Sequence, residues 1–310
     1  WKEANKRFDE YGNDKEVGTN GFYAMKAHWS EHPDRDEAWA EAEKARIGDE
    51  RFRREHECEF LIFDETLIDS IHLADMEPQE PIEKTGQVRW YKRPTPGMTY
   101  LVSLDPAMGT GGDYAAIQVF ELPTFEQVGE WHHNTTPMNQ QVRILQSITK
   151  HLHDTIMEKD SSASPQIFYS MENNSIGEAA LLRVMDIGEE NIQGMFLSEP
   201  IRKGHRRKFR RGFNTTAKHK IDACTKFKEL VENNKMKINS QLLISELKDF
   251  VASGMSFSAK AGQHDDLVSS CLLMTRMIKT LADFDPKIFE KWTDRTSELA
   301  PMPIYGSFTG

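Results

Sequence analysis

The chain has 310 residues, with 39 Lys and Arg against 49 Asp and Glu, a formal net charge of -10 at pH 7, 38% hydrophobic residues and 28% charged ones. That length holds a sizeable core in one or two domains, and the composition is that of a globular chain in water, not a disordered or fibrous one. No apolar run approaches the ~18–20 residues of a membrane span, no signal peptide is visible, and the acidic balance argues against a chain that is basic all over while leaving room for a local basic stripe.

The sequence opens at Trp1, not Met, as a piece of a longer protein would. Residues 1–20 are polar without a clear period and read as a loose start. His32-Pro33-Asp34-Arg35-Asp36-Glu37 reads as a turn into a helix over 38–46, with Asp34 or Asp36 near the N-cap. Gly48 ends it, and 51–59 suits a second short helix. Pro78, Pro81, Pro94 and Pro96 mark 76–97 as a linker with a leading strand, and the composition shift places a boundary near residue 75.

Strands follow at 98–105, 114–121 and 127–133, rich in Val, Ile, Phe, Tyr and Trp with turn residues between them. Val142, Leu145, Ile148, Leu152 and Ile156 line one face of a helix over 138–157. A strand at 166–172, a helix at 176–185 and a short strand at 192–197 complete an α/β pattern with a mixed sheet. Helices are expected at 217–231, 242–251 and 265–281. The expected organisation is thus 1–75, a sheet domain over 76–283, and an extended or disordered tail over 284–310 that holds Pro286, Pro301 and Pro303. Cys58, Cys224 and Cys271 fit no disulfide framework or zinc motif, which favours a reducing cytosol.

Three acidic positions stand at the edges of apolar runs. Asp105 ends Tyr100-Leu101-Val102-Ser103-Leu104, Glu172 ends Ile167-Phe168-Tyr169-Ser170-Met171, and Asp265-Asp266 precede Leu267 to Met274. Each alone reads as a turn former or a helix-terminal charge. Together they are costly unless solvated, paired or bound to a cation. Adjacent parallel strands end on one edge of an open sheet, where ligands bind. Asp113 opens the second strand of an expected hairpin and returns to the Asp105 end as an auxiliary ligand candidate. Asp266 is the preferred ligand and Asp265 the preferred cap, a pair that sequence separates poorly. Hard divalent ions, Mg²⁺ or Mn²⁺, favour such oxygen donors, and two of them about 3.5–4 Å apart hydrolyse phosphodiesters. Gly109-Thr110-Gly111-Gly112 is no phosphate loop, because Asp113 and a β-rich segment follow where Gly-Lys-Ser/Thr and a helix are required.

Residues 201–220 contain no acid and nine cations: Arg202, Lys203, Arg206, Arg207, Lys208, Arg210, Arg211, Lys218 and Lys220. So one-sided a run in an acidic chain reads as a phosphate-binding feature that contacts backbone without reading sequence.

These motifs carry a resemblance. Ser103-Leu104-Asp105-Pro106-Ala107 through Gly111-Gly112-Asp113-Tyr114, Met171-Glu172-Asn173-Asn174, Arg211-Gly212-Phe213-Asn214-Thr215-Thr216 and Gly262-Gln263-His264-Asp265-Asp266-Leu267 resemble, in order, the C-terminal part of the T4-like large terminase subunit of tailed bacteriophages. Trp29, His32 to Asp36, Ile47 to Phe52 and Glu55 to Leu61 resemble the end of that family's ATPase region, so 1–75 would be its remnant plus linker. There is no Walker A lysine loop, and no ATPase activity is expected of this chain alone. The resemblance implies an RNase H-like domain over 76–283, with Asp105, Glu172 and Asp266 or Asp265 as metal-binding acids. It further implies an endonuclease that cuts concatemeric double-stranded viral DNA. The implied partners are the portal protein, a small terminase subunit and the ATPase domain of the full-length protein, at the procapsid portal in the cytoplasm of an infected bacterial host. The rival readings are another RNase H-like nuclease, such as a resolvase or transposase, and a noncatalytic DNA and portal docking module.

Overall fold

The structure, a computed structural model, describes residues 28–48, 52–53, 55–57, 65–199, 212–254 and 256–284. The expectations for residues 1–20, for the tail beyond residue 284 and for the seven cations from Arg202 to Arg211 lie outside them. The chain divides into two compact units, Trp1–Phe63 and Asp64–Gly310.

In the first unit, helix α1 (Glu37–Ile47) starts at Asp36, whose side chain accepts from the Trp39 amide at 2.8 Å and thereby resolves the choice between Asp34 and Asp36. Trp29, Trp39, Phe52 and His56 form a small aromatic cluster, with ring centroids 5.1–6.1 Å apart where they meet. Phe52 is fully buried within it.

The second unit begins with helix α2 (Ser70–Asp75) and is built on a seven-stranded sheet. Its strands are β1 (Glu83–Thr85), β2 (Val88–Trp90), β3 (Thr99–Asp105), β4 (Ala115–Leu122), β5 (Glu126–His133), β6 (Gln166–Met171) and β7 (Met195–Phe196), in the order β1-β2-β5-β4-β3-β6-β7. β4 runs antiparallel to both β3 and β5, while β6 pairs parallel with β3 and β7 parallel with β6. The parallel crossover from β5 to β6 is made by helix α3 (Met138–Lys159), as a parallel connection requires. This is the mixed sheet flanked by helices that the RNase H-like expectation described.

Every residue of β4 is buried, so both faces of the sheet are covered. Alternation along β3 assigns the faces. Tyr100, Val102 and Leu104 join Val142, Leu145, Ile148 and Leu152 of α3 and Ala180 and Val184 of helix α4 (Ser175–Ile187) in one core. Leu101, Ser103 and Asp105 face the other way. There the cover comes from helix α7 (Asp266–Phe284), which packs on β3 and β4 and itself touches helices α5 (Ala217–Glu232) and α6 (Gln241–Asp249). The polar pair Ser103 and Ser270 marks that contact: the Ser103 hydroxyl lies 2.9 Å from both the carbonyl and the hydroxyl of Ser270.

Four expectations need correction. The stretch 76–97 holds more than one leading strand: β1 and β2 form a hairpin that pairs with β5 through Arg89 and Trp90. The helix expected over 242–251 stops at Asp249, and β8 (Phe250–Ser253) pairs antiparallel with β9 (Ser256–Ala259). Phe250 is fully buried while the rest of that hairpin is partly exposed, so the apolar pattern runs on after the helix has ended. The strand expected over 192–197 shortens to Met195–Phe196. Strand β4 starts at Ala115, leaving Asp113 in the turn before it.

Candidate metal centre

The register of β3 on β6 places Leu104 opposite Met171, so the next residues, Asp105 and Glu172, leave the same edge side by side. The Glu172 amide still donates to the Leu104 carbonyl at 3.2 Å. Beyond Met171 the chain exchanges strand-like bonds with a returning segment: the Phe213 amide donates to Met171 O at 3.2 Å and the Asn173 amide to Phe213 O at 2.7 Å. Glu172 is thereby fixed from both sides in sequence. Gly212 makes the return possible. Its φ is +78°, and a Cβ there would stand 2.7 Å from Met171 O. Gly177, in the first turn of α4, is needed for a similar reason, since a Cβ would stand 1.8 Å from Glu172 O.

The third acid arrives from α7. Two residues along a strand cover about 6.7 Å, and four residues along a helix about 6 Å. With Ser103 pinned to Ser270, stepping forward to Asp105 on β3 and back to Asp266 on α7 covers matching distances. The result is an acidic neighbourhood around Asp105. Burial raises its carboxyl well above the usual range, and the Glu172, Asp266 and Asp265 carboxylates raise it further. Asp266 is pushed up to about 6, mainly by burial, with Asp265 and Asp113 adding to it. The Tyr114 amide opposes that shift by donating to Asp266 Oδ2 at 3.3 Å, and His264 Nδ1 stands 3.7 Å from the same oxygen. Asp113 is exposed, and its charge acts on Asp266.

Asp265 does not act as the side-chain cap of α7. Its backbone oxygen accepts from Ser269 at 2.7 Å, but its carboxylate faces the Ala259 amide at 3.4 Å and Lys220 Nζ at 3.8 Å. Lys220, expected with the DNA-contacting cations, thus lies beside the acids and over the Phe250 ring at 5.4 Å. Lys218, two residues earlier on α5, is exposed. The amide at Val268, in the first turn of α7, is taken by Glu246 Oε2 of α6 at 3.1 Å. The other Glu246 oxygen is 3.6 Å from His132 Nε2, and His132 stacks on Tyr114 at 4.1 Å. Burial pushes Glu246 up to about 9 and His132 down to about 4, so both are uncharged near neutral pH. Sequence reasoning passed over Glu246 and His132. A Glu on an amphipathic helix ordinarily faces water, and only an assembled fold can bury it.

The family model for the terminase RNase H-like domain matches residues 102–277, more than half of the chain. The chain belongs to this family. Two solved structures agree with the fold of the terminase domain. The large terminase nuclease from thermophilic phage G20c with bound magnesium is 17% identical, covers 69% of this chain and 97% of that one, and gives a TM-score of 0.51. The same phage's nuclease with bound cobalt is 17% identical with the same coverages and a TM-score of 0.50.

The terminase domain's donor set suits a hard divalent cation. Asp105, Glu172, Asp265 and Asp266 offer only carboxylate oxygens, and the upward push on Asp105 and Asp266 comes first from burial and then from the neighbouring acids. Among the described residues no group of three or more His, Cys, Asp or Glu side chains is placed so that it could hold a metal ion as it stands. Among the described residues no helix is long and apolar enough to cross a membrane, and Cys224 and Cys271 are buried free thiols.

Proposed function

We propose that this chain is the DNA-cutting part of a viral packaging machine, a metal-dependent endonuclease that hydrolyses phosphodiester bonds of concatemeric double-stranded DNA. The observation that carries the reading is the convergence of Asp105, Glu172 and the start of α7 at one end of the sheet, in a member of the terminase RNase H-like family. Asp105, Glu172 and Asp266 would hold two Mg²⁺ or Mn²⁺ ions, with Asp265 and Asp113 as auxiliary ligands. When bound, such an ion pair supplies an acidified water and neutralises charge on the departing oxygen.

The chain's own residues do the rest. Asp105, whose carboxyl is raised by both Glu172 and Asp266, would be the acid common to the ions. The Tyr114 amide orients Asp266, and the Asn174 side chain, whose Nδ2 donates to Glu172 Oε2 at 3.2 Å, orients Glu172. Both raised acids must lose their protons to act as ligands. The cations Arg202, Lys203, Arg206, Arg207, Lys208, Arg210, Arg211 and Lys218 would hold phosphates of either strand without reading bases; Lys220 would serve beside the acids. The portal, a small terminase subunit and an ATPase domain are the partners this role requires, at the procapsid portal in the host cytoplasm.

The test is cleavage of supercoiled plasmid with Mn²⁺ or Mg²⁺ and with chelator. Cleavage that needs the ion and vanishes in Asp105→Ala, while DNA binding persists, is the expected result. Full cleavage by Asp105→Ala would sink the assignment. DNA binding with neither ion binding nor cleavage in the wild type would favour a noncatalytic docking module.

A further inference from the structure

The first turn of α7 carries the acids Asp265 and Asp266, yet its exposed amides are not served by the residue before it. The cap comes from 22 residues away, where Glu246 Oε2 accepts from the Val268 amide at 3.1 Å and also faces the Leu267 amide. Glu246 is 90% buried, its side chain being only 10% exposed. This arrangement has a consequence for both acids. Asp265 is relieved of capping and turns its carboxylate to Ala259 and Lys220, beside Asp105. Asp266 stands in a row of neighbours, in which His132 Nε2 is buried without a hydrogen-bond partner. Its Oδ2 accepts from the Tyr114 amide, the Tyr114 ring stacks on His132 at 4.1 Å, His132 Nε2 stands 3.6 Å from Glu246 Oε1, and Glu246 returns to Val268, two residues from Asp266. Every link joins a different element: the β3–β4 turn, β5, α6 and α7.

We propose that Glu246 is the positioning residue of the metal centre, the group that sets the first turn of α7 so that Asp266 and Asp265 both face Asp105. The proposal rests on the reading of the acid cluster as a divalent-ion site. Glu246 touches neither ion nor DNA in this scheme. It acts through the α7 backbone, while its other oxygen packs 3.6 Å from His132, the ring on which Tyr114 stacks. Its requirement is an acceptor oxygen at the reach of a glutamate side chain.

That requirement separates three substitutions. Glu246→Gln keeps an acceptor oxygen at the same reach, Glu246→Asp withdraws it by one methylene, and Glu246→Ala removes it. The measurements are Mn²⁺ affinity by calorimetry, the Mn²⁺ concentration for half-maximal plasmid cleavage, and DNA affinity in chelator. Groups that orient metal ligands typically change affinity 10–100-fold when lost. Glu246→Asp and Glu246→Ala should therefore weaken Mn²⁺ binding by roughly that factor and raise the Mn²⁺ requirement in parallel, with cleavage at saturating Mn²⁺ within about threefold of wild type. Glu246→Gln should stay within about threefold of wild type throughout, and DNA affinity should hold in all three. A purely structural role would lower the melting temperature without moving the Mn²⁺ requirement. If Glu246→Ala does not fold, the Asp and Gln variants decide.

Wild-type Mn²⁺ affinity in a folded Glu246→Asp variant overturns the proposal, as does a Gln variant impaired as badly as Ala. A wild-type protein that binds no Mn²⁺ and cuts no DNA overturns the functional reading and this proposal with it. Metal-dependent cutting in the wild type with no change in the Asp and Ala variants overturns this proposal alone.

Discussion

Removing one of the acids at the proposed centre should stabilise the protein. Asp266 has a side chain only 15% exposed, and burial raises its carboxyl from 3.8 to about 6. That difference corresponds to about 3 kcal/mol of extra cost for the charged form. The sign follows from proton counting. Between 3.8 and about 6 the folded chain keeps a proton that the unfolded chain has lost, so stability falls as pH rises through that window, and the cost is complete above it. Asp266→Asn removes the charge and keeps an oxygen for the Tyr114 amide. In chelator at about pH 8 the substitution should raise stability by about 1–3 kcal/mol, or roughly 3–10 °C in Tm for a domain of this size, and at about pH 4 it should change nothing. Added Mn²⁺ should stabilise the wild type and leave the substituted protein nearly unmoved, reversing their order. Calorimetric melting across this pH range, with and without Mn²⁺, makes the comparison. A substituted protein no more stable than wild type at about pH 8 in chelator, or one with the same gain at both pH values, refutes the argument.

Other outcomes follow from the same geometry. Mn²⁺ affinity should rise with pH through about 6, where Asp266 sheds its proton, and the raised Asp105 carboxyl must shed its own as well; a pH-independent affinity in titration calorimetry would contradict this. Gly177→Ala would force a methyl against Glu172 O, costing about 1–3 kcal/mol in denaturant unfolding and lowering cleavage; wild-type cleavage would count against Glu172 as a ligand. Arg276 of α7 pairs with Glu199, donates to Asn214 O and Thr215 Oγ1 at 3.0 Å and lies 5.1 Å over the Phe213 ring, so Arg276→Ala should cost about 2 kcal/mol in urea unfolding. Neutralising Arg207, Lys208 and Arg210 together should weaken DNA binding equally across sequences and flatten its salt dependence by about 0.9 per lost phosphate contact; an unchanged salt slope would remove this segment from the DNA path.

Much of the sheet and the acid positions were legible because both depend on short-range pattern. Apolar runs with an acid at the terminus gave β3 and β6, and a shared edge for Asp105 and Glu172 follows once those strands are parallel neighbours. The hairpin of β1 and β2 was hidden because β1 is exposed throughout and carries no apolar alternation. The β8–β9 hairpin was hidden because Phe250 continues the helical apolar period of Leu243 and Leu247 beyond the point where the helix ends. Asp265 as a cap was the natural local reading, and it failed because a distant Glu246 competes for the same amides. These misses share one physical origin: which polar group wins a given partner is decided by tertiary packing, which a linear pattern does not carry.

The serine contact between β3 and α7 joins residues 167 positions apart. Asp105 and Glu172 can therefore be synthesised, and their strands paired, long before Asp266 exists. A chain emerging from the ribosome, or one truncated before α7, carries two of the acids on a sheet whose second face is still bare. The cutting proposed for these acids would then have to await α7, the same helix that covers the second face of the sheet.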